Sequence, residues 1–323
     1  MTERVRVGVI GVGNMGSNHA RVFAMLRSAE LVAVADPDPG ARDEVAALTG
    51  ARACADHREL LDLVDAVSVA VPTSLHLPVA LDCLRAGRHV LVEKPLALTV
   101  ADGTALLDAA RARGLVLQVG HVERFNPAVR ALDKILAGER LRVLTARRLS
   151  PPTPRVRDID VVLDLLIHDL DIVTHLARSA VSDVSAMGAT GPDGSLELVL
   201  AHLRFASGTL ADLVASKVTQ QRVRELELSG EQMFVTVNYR TRDVTIFRDA
   251  TVSPLREAGV ATYRQEGIIQ KPLIPTTEPL YLELKHFLDC VAGRSPVMRP
   301  EEALASLALA VRVRDAALAN LSA

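Results

Sequence analysis

A glycine-rich segment that directly follows a short apolar run constrains the fold of this chain more than any other feature. The segment is Gly11-Val-Gly-Asn-Met-Gly16, the run before it is Val5–Ile10, and a helical pattern follows. Glycines at this spacing allow a tight turn, a close approach of backbone to a diphosphate, and close packing of helix on strand. Asp36 stands about 20 residues further on, where a carboxylate accepts hydrogen bonds from a ribose hydroxyl and repels a 2′-phosphate. The spacing predicts a dinucleotide site that prefers NAD to NADP. In the alternative interpretation, Asp36 is only a helix cap beside Pro37.

The first 120 residues alternate apolar runs with helical patterns, which is typical of a parallel sheet covered by helices. The predicted strands are Val5–Ile10, Leu31–Ala35, Ala66–Val71, His89–Val92 and Leu115–Val119. The predicted helices are Met15–Leu26, Ala41–Leu48, Leu75–Arg85 and Ala101–Arg113. We therefore predict an α/β dinucleotide-binding Rossmann domain at residues 1–120.

The pattern changes after residue 120, where helices and alternating strands replace the regular α/β order. Helices are predicted at Phe125–Leu136, Asp160–Leu176, 279–292 and 300–320, and alternating strands at 196–205, 225–228 and 233–239. Residues 249–279 hold four prolines and little periodicity, so they are predicted to form a long loop. We predict an α+β substrate and oligomerisation domain at residues 121–323, with a largely antiparallel open sheet and terminal helices that can pack back on the first domain.

Composition excludes several classes of protein. A formal charge of −2 lacks the basic footprint of a nucleic-acid binder. No apolar run approaches the roughly 18 residues that span a bilayer, and the N-terminus has no signal-peptide core. The three cysteines are far apart in the sequence, which suits reduced thiols rather than a disulfide framework or zinc site. These features predict a cytoplasmic protein without nucleic-acid or membrane partners.

A lysine at the end of a predicted strand is one candidate for catalysis. Glu93-Lys94-Pro95 follows His89–Val92, and the carboxyl ends of parallel strands face the crevice where ligands bind. A lysine there can hold a substrate hydroxyl and stabilise a developing alkoxide, whereas the alternative is an ordinary surface lysine. The bond before Pro95 is a candidate for the cis form.

The predicted helix at 160–176 carries a second candidate, a polar stripe on an otherwise aliphatic surface. At about 100° per residue, its polar residues fall within about 80° of arc. They are Asp160, Asp164, His168, Asp171 and His175. Asp164 lies one turn before His168, so its carboxylate can orient the imidazole as a general base. The alternatives are a structural Asp–His pair or a metal site, and no further His/Cys cluster supports the metal.

Taken together, these residues resemble the glucose–fructose oxidoreductase/inositol dehydrogenase (Gfo/Idh/MocA) family over nearly the whole chain. The blocks that carry the resemblance are Gly11–Gly16, Pro72–His76, Glu93–Pro95, Asp164–Asp169, and Glu283–Phe287 leading to Gly293–Pro296. The resemblance implies a Rossmann domain followed by an open antiparallel sheet that forms a homodimer or homotetramer interface. It implies that His168 takes the proton of a substrate hydroxyl, that Lys94 assists at the same oxygen, and that Asp164 tunes the pair. The cofactor-lining residues that it implies are Gly11, Gly13, Asn14, Met15, Gly16, Asp36, Pro72, Thr73, His76, Glu93 and Lys94.

A narrower resemblance concerns the substrate. Gly120–Pro127 and Arg155–Asp164 are similar to the subgroup that contains UDP-N-acetylglucosamine 3-dehydrogenases. The substrate-binding residues that this implies are His121, Arg124, Phe125, Asn126, Arg155 and Arg157. The two last arginines would meet a diphosphate, and a solvated proline-rich loop is the alternative for them.

The leading hypothesis is therefore an NAD-dependent enzyme that oxidises a secondary hydroxyl of a sugar, such as C3 of UDP-N-acetylglucosamine, with His168 as base. No arginine follows the second strand before Arg42, which makes NADP the less favoured cofactor. The enzymatic alternative is a dehydrogenase of a free sugar or inositol. The non-enzymatic alternative is a cofactor-binding sensor subunit, for which a proton acceptor at the nicotinamide would have no use.

Overall fold

The chain divides into two compact units, each built from more than one segment. The computed structural model describes residues 4–152, 159–248, 252–257, 260–265 and 267–321, with the backbone alone for 252–257 and 260–265. The first unit comprises Met1–Phe125, Pro154–Asp171 and Thr277–Val311, and the second comprises Asn126–Thr153, Ile172–Thr276 and Arg312–Ala323. The predicted division at residue 120 lies near the end of the first segment. Two later segments also belong to the first unit, so the chain does not divide at a single point.

The first unit contains a parallel sheet of six strands. The strands are β1 (Val5–Ile10), β2 (Ala29–Ala35), β3 (Arg52–Cys54), β4 (Ala66–Val69), β5 (His89–Glu93) and β6 (Leu117–Gly120). Their spatial order is β3-β2-β1-β4-β5-β6, as in a Rossmann fold. The order reverses between β1 and β4, and ligands bind at such a switch point, beyond the carboxyl ends of the strands. The predicted α/β fold and its five predicted strands are confirmed, whereas the three-residue β3 was not predicted.

Helices cover this sheet, and two of them begin at side-chain caps. They are α1 (Asn14–Met25), α2 (Pro39–Thr49), α3 (Arg58–Leu61), α4 (His76–Arg85), α5 (Val100–Arg111) and α8 (Pro279–Val291). Asp38 accepts the Gly40 N–H at the start of α2, and Thr99 accepts the Asp102 N–H at the start of α5. The late helix α8 packs in the same core as α1 and β1, through residues that include Leu284.

The second unit is built on a mixed sheet of eight strands in the order β16-β13-β12-β11-β7-β10-β9-β8. Its strands are β7 (Leu141–Leu149), β8 (Val181–Thr190), β9 (Leu196–Phe205), β10 (Leu210–Ser216), β11 (Val223–Gly230), β12 (Met233–Asn238), β13 (Asp243–Arg248) and β16 (Ile268–Gln270). Only β7 and β10 pair in parallel among these strands, so the predicted, largely antiparallel sheet is confirmed. Helix α6 (Pro127–Ile135) also lies in this unit.

The prediction of a long loop at 249–279 is wrong for much of that range. Strands β14 (Val252–Glu257) and β15 (Val260–Gln265) form an antiparallel ribbon, and β16 joins the large sheet. Proline weighed against strands in the prediction, but Pro254 lies in a two-stranded ribbon, where each strand has an edge that needs no donor.

The predicted helix at 160–176 contains a change of helical type. A π-helical turn spans Val162–Leu166, and α7 (Ile167–Ala177) continues from it; α9 (Pro300–Ala319) ends the chain's regular structure. A π turn advances fewer degrees per residue than an α-helix, so the arc predicted for the polar stripe does not hold through Asp164. No helix among the described residues is long and apolar enough to cross a bilayer.

Candidate active site

The glycine loop after β1 leaves space where a diphosphate needs it. Gly11 has φ of +81°, and a Cβ there would lie 2.7 Å from the carbonyl oxygen of Ala70. A Cβ on Gly16 would overlap the carbonyl oxygen of Gly11, so strand and helix approach too closely for any side chain. A Cβ on Gly13 would meet nothing within 4 Å, and no side chain caps the start of α1. The free N–H groups and the open space at Gly13 fit a pyrophosphate.

Two further residues of the loop are open to solvent. Asn14 and Met15 form the exposed first turn of α1. The backbone carbonyl of Asn14 accepts hydrogen bonds from the side chains of Ser17 and Asn18, at 3.1 and 2.7 Å. Both positions are therefore available to a ligand at the start of the helix.

Asp36 is held at the end of β2 by backbone donors. Its Oδ2 accepts the Val12 N–H at 2.8 Å, and its Oδ1 accepts the Asp38 N–H at 2.9 Å. Each carboxylate oxygen keeps a second acceptor position for a hydroxyl. Arg42 donates to the carbonyl oxygen of Asp36 at 3.3 Å, so the first arginine after the strand lies beside this carboxylate.

The segment after β4 buries its histidine against backbone carbonyls. Pro72 is exposed, and Thr73 is buried at the start of a 3-10 turn. His76 is buried, with Nδ1 2.8 Å from the carbonyl oxygen of Pro95 and Nε2 3.1 Å from that of Val71. Burial lowers the pKa of His76, against the effect of these carbonyls. Both ring nitrogens face backbone, so His76 holds the turn at Pro95.

Lys94 and Asp164 come together from distant segments. The Lys94 Nζ donates to the backbone carbonyl of Asp164 at 2.7 Å and to its Oδ1 at 3.1 Å, and both side chains are largely buried. The Lys94–Pro95 peptide bond is cis. His168 follows Asp164 along the same helical segment and is half-buried. The contact thus joins the carboxyl end of β5 to the turn that leads into His168.

Glu93, the residue before Lys94, is buried beside His19 of α1 and the backbone of Lys94. Its Oε1 lies 3.0 Å from His19 Nε2, and His19 Nδ1 lies 2.7 Å from the hydroxyl of Ser68. Its Oε2 accepts the N–H of Lys94 at 3.2 Å. Burial acts to raise the pKa of Glu93, but the hydrogen bond and charge of His19 and the nearby Lys94 lower it on balance. Glu93 is therefore a carboxylate that orients its neighbours.

Arg124 forms a buried ion pair. Its side chain is 5% exposed and grips Asp171, with Nε 2.6 Å from Oδ2 and Nη2 3.1 Å from Oδ1. Ser306 also donates to Asp171, and His121 Nδ1 lies 3.7 Å from Asp171. Burial acts to raise the pKa of Asp171, but His121 and Arg124 outweigh it and the pKa is lowered.

The other residues of this segment, which were predicted to bind substrate, are buried as well. His121 is 1% exposed, and burial lowers its pKa. Phe125 packs edge-on against His286, with ring centroids 5.2 Å apart. Asn126 caps α6 through the Ala128 N–H and donates to the carbonyl oxygen of Tyr239. The side chains of this segment contact buried groups of the protein. Arg155 and Arg157 lie outside the described residues.

Two buried titratable residues of the first unit were not predicted as site residues. His19 lies on the buried side of α1 with Gly16 and Phe23, and Glu283 lies on the buried side of α8 with Leu284. Each is a titratable group at a helical position otherwise filled by small or apolar residues, and this break in the pattern was the available signal. Within the described residues, no group of three or more histidine, cysteine or acidic side chains could hold a metal ion.

The Rossmann sheet, the open glycine loop and the lysine at the end of β5 define a dinucleotide-binding oxidoreductase. Residues 5–121 match the model of the "Oxidoreductase family, NAD-binding Rossmann fold", and residues 146–236 match the "GFO/IDH/MocA C-terminal domain". The chain belongs to the Gfo/Idh/MocA oxidoreductase family, and its cofactor is NAD.

Similar proteins include several named dehydrogenases. The chain is 35% identical to the UDP-N-acetylglucosamine 3-dehydrogenase of Acidithiobacillus ferrooxidans over 91% of this chain and 90% of that protein. It is 28% identical to the scyllo-inositol 2-dehydrogenase (NAD(+)) of Bacillus subtilis over 96% and 93%. A solved structure of the Acidithiobacillus ferrooxidans enzyme superposes with a TM-score of 0.86 at 32% identity, covering 97% of each chain. A levoglucosan dehydrogenase complex with NADH shares the fold, with a TM-score of 0.82 at 20% identity over 98% of each chain.

Alanine at two positions of the glycine loop is expected to affect two different properties, NAD binding at Gly13 and stability at Gly16. Gly13 has φ of −64° and open space beyond it, so Gly13→Ala should leave the melting temperature unchanged while weakening NAD binding at least about tenfold. Gly16→Ala forces a methyl onto backbone and should lower the free energy of unfolding by about 3 kcal/mol or more. Thermal melts and titration of NADH fluorescence measure the two effects. Equal loss of stability in both variants would contradict this account of the loop.

Proposed function

We propose that this protein oxidises a secondary hydroxyl group of a nucleotide sugar with NAD, and that C3 of UDP-N-acetylglucosamine is the first candidate. The observation that carries the proposal is the contact of the Lys94 ammonium with Asp164 at the carboxyl end of β5, next to the segment with His168. The similarity to the Acidithiobacillus ferrooxidans enzyme over most of both chains supports this choice of substrate.

Each of the three polar residues has a proposed role at one alcohol oxygen. His168 accepts the hydroxyl proton, and Lys94 stabilises the negative charge that develops on the oxygen. Asp164 holds the Lys94 ammonium by two hydrogen bonds, which leaves its third donor for the substrate. NAD, when bound, supplies the two-electron oxidant.

Dinucleotide and substrate are proposed to be bound by different residues. The loop Gly11–Gly16, Asp36 and the turn at Pro72 and Thr73 are proposed to hold the dinucleotide. Arg155 and Arg157 are proposed to bind the diphosphate, because paired guanidinium groups recognise phosphate by bidentate contacts.

The large sheet of the second unit is proposed to form the interface of a homodimer or homotetramer. Met187 and Leu200 are opposite each other on β8 and β9, and both are exposed. Phe247 on β13 is exposed beside Phe234, with ring centroids 5.9 Å apart. Apolar side chains paired on an uncovered sheet face favour association with a second copy. We also propose a cytoplasmic location, which suits the three buried free cysteines.

A second candidate function is the oxidation of a free sugar or inositol, which is favoured by the similarity to the scyllo-inositol dehydrogenase over nearly the whole chain. The two functions differ in what the diphosphate contributes. A substrate with UDP requires cationic groups to hold it, whereas an inositol requires only hydroxyl contacts.

A substrate panel tests the proposal. Nucleotide sugars, the matching free sugars and inositols are each incubated with NAD and with NADP, and the absorbance of the reduced nicotinamide is followed. We expect UDP-N-acetylglucosamine with NAD to give the highest kcat/KM, and removal of UDP to lower it by at least about 100-fold, the effect of losing several charged hydrogen bonds. Faster turnover of an inositol would favour the second candidate. Absence of turnover with every sugar and inositol would overturn both.

A further inference from the structure

Helix α8 carries a carboxyl group, that of Glu283, on its apolar face. The proposed function assigns no role to this group. Glu283 lies on the same buried side as Leu280, Leu284 and Phe287, and its side chain is 0% exposed. Within the described part of the chain, neither carboxyl oxygen meets a hydrogen-bond donor. The nearby amide of Gln118 donates instead to the backbone carbonyl of Glu283, at 3.4 Å. An ionised carboxylate in this position would lose its hydration without compensation.

The groups that face Glu283 do not supply a positive partner for a second negative charge. Burial, and after it the negative charge of Glu93, raises the pKa of Glu283 well above its usual range. Glu93 in turn is matched by His19 of α1 and by the backbone N–H of Lys94.

Other charged residues on the elements that pack against α8 are already paired. Arg21 of α1 pairs with Glu278, and Arg124 of the turn at Val122–Phe125, which also holds Glu123, pairs with Asp171. Among the residues that the structure describes, the balancing groups here suffice for one buried carboxylate, and they lie beside Glu93.

We propose that Glu283 is a positioning residue that keeps one proton beside Glu93, so that the buried carboxyl pair carries a single negative charge next to Lys94. Two carboxyl groups in one apolar site cannot both ionise cheaply, and their environments separate their protonation states. Glu93 remains ionised, because it lies 3.0 Å from His19 Nε2 and accepts the backbone N–H of Lys94, whereas Glu283 has no such partner among the described residues and keeps the proton. Loss of that proton would give Glu283 a negative charge as well. That charge would repel the carboxylate of Glu93, the residue that precedes Lys94. The kinetic consequence rests on the proposed role of Lys94, but the protonation state does not.

Infrared spectroscopy of the free protein tests the protonation state directly. At neutral pH an ordinary carboxyl group is ionised, so the carbonyl stretch of a protonated acid should be present in the wild type and absent in Glu283→Gln. The exposed Glu30 provides a matched control, because Glu30→Gln makes the same chemical change elsewhere in the first unit. The control should keep the band. Identical spectra for wild type and Glu283→Gln would overturn the proposal.

The coupling between the two carboxyl groups has its own test. Glu93→Gln removes the negative charge that acts on Glu283, so the pH at which the infrared band disappears should move downward. An unchanged midpoint would overturn the shared-charge part of the proposal. This measurement keeps Glu283 in place, and it applies even where Glu283→Gln folds poorly.

Stability against pH gives a second readout without cofactor or substrate. A raised pKa in the folded state favours folding at low pH, and this contribution is lost as pH rises from the unfolded pKa to the folded one. The folding constant of the wild type, relative to Glu283→Gln, should fall about tenfold per pH unit above about pH 4.3. A ratio that does not change with pH would contradict the proposal.

A kinetic experiment tests whether the proton on Glu283 affects turnover. In Glu283→Gln the alkaline decline of kcat/KM should begin at higher pH than in the wild type, while turnover at neutral pH is retained. Coincident pH profiles would overturn the positioning role. Failure of every sugar to react would refute the proposed function alone, since the infrared and stability measurements need no substrate.

Discussion

Replacement of His168 by alanine is expected to lower kcat by about 10²–10⁴-fold, the usual contribution of a general base, while the dissociation constant for NAD stays the same. The imidazole is half-buried on the segment that follows Asp164, whose carboxylate and carbonyl hold Lys94. The variant lacks the proposed base, so the substrate hydroxyl would have no proton acceptor, whereas the glycine loop and Asp36 are untouched. Steady-state turnover with the sugar found in the substrate panel, together with titration of NADH fluorescence, measures both quantities.

His202 supplies the matched control for this substitution. It lies exposed on β9 of the second unit, where it contacts Asp212 at 3.1 Å. His202→Ala should retain wild-type turnover. Equal turnover in His168→Ala and wild type would remove His168 from the mechanism, and a parallel loss of NAD binding would indicate a structural role instead.

Removal of Arg124 is expected to have the largest effect on stability, lowering the free energy of unfolding by about 3–5 kcal/mol. The Arg124→Ala variant leaves the carboxylate of Asp171 buried, with Ser306 and His121 as its remaining polar neighbours among the described residues. The cost comes mainly from that uncompensated charge rather than from the loss of one attraction. Urea denaturation followed by far-ultraviolet circular dichroism is the suitable measurement, because the chain contains no tryptophan.

An exposed ion pair of the same unit gives the comparison. Arg111 is 65% exposed and pairs with Glu301 at 2.9 Å. Arg111→Ala should change the free energy of unfolding by about 1 kcal/mol or less, because water screens both charges. Similar losses in the two arginine variants would contradict the view that burial sets the energy of the Arg124–Asp171 pair.

Much of the first unit could be predicted because its signals are local. Buried parallel strands appear as continuous apolar runs, and the boundaries of β1 match the prediction at both ends. The ribbon of β14 and β15 was missed because an edge strand tolerates a proline that the pattern counted against it. The π turn at Val162–Leu166 was missed because the prediction used one helical period throughout the segment.

Candidate site residues were predicted less evenly. Lys94 and Asp164 were selected separately, and the structure brings them into contact. Arg124, Phe125 and Asn126 were assigned to a substrate, and the structure buries them in contacts with the protein. Their polarity is visible in the sequence, but the identity of their partners is not.

The order of elements in the first unit, the diphosphate loop and the acidic residue after it follow from the sequence alone. Each depends on residues that are neighbours along the chain, so short-range sterics and hydrophobic patterning suffice. The tertiary structure alone decided which charges are buried together. Asp171 meets Arg124 across 47 positions, and the negative charge of Glu93 acts on Glu283 from a distant part of the sequence. The energy of a charge depends on its burial and its partner, and both are set only when distant segments meet.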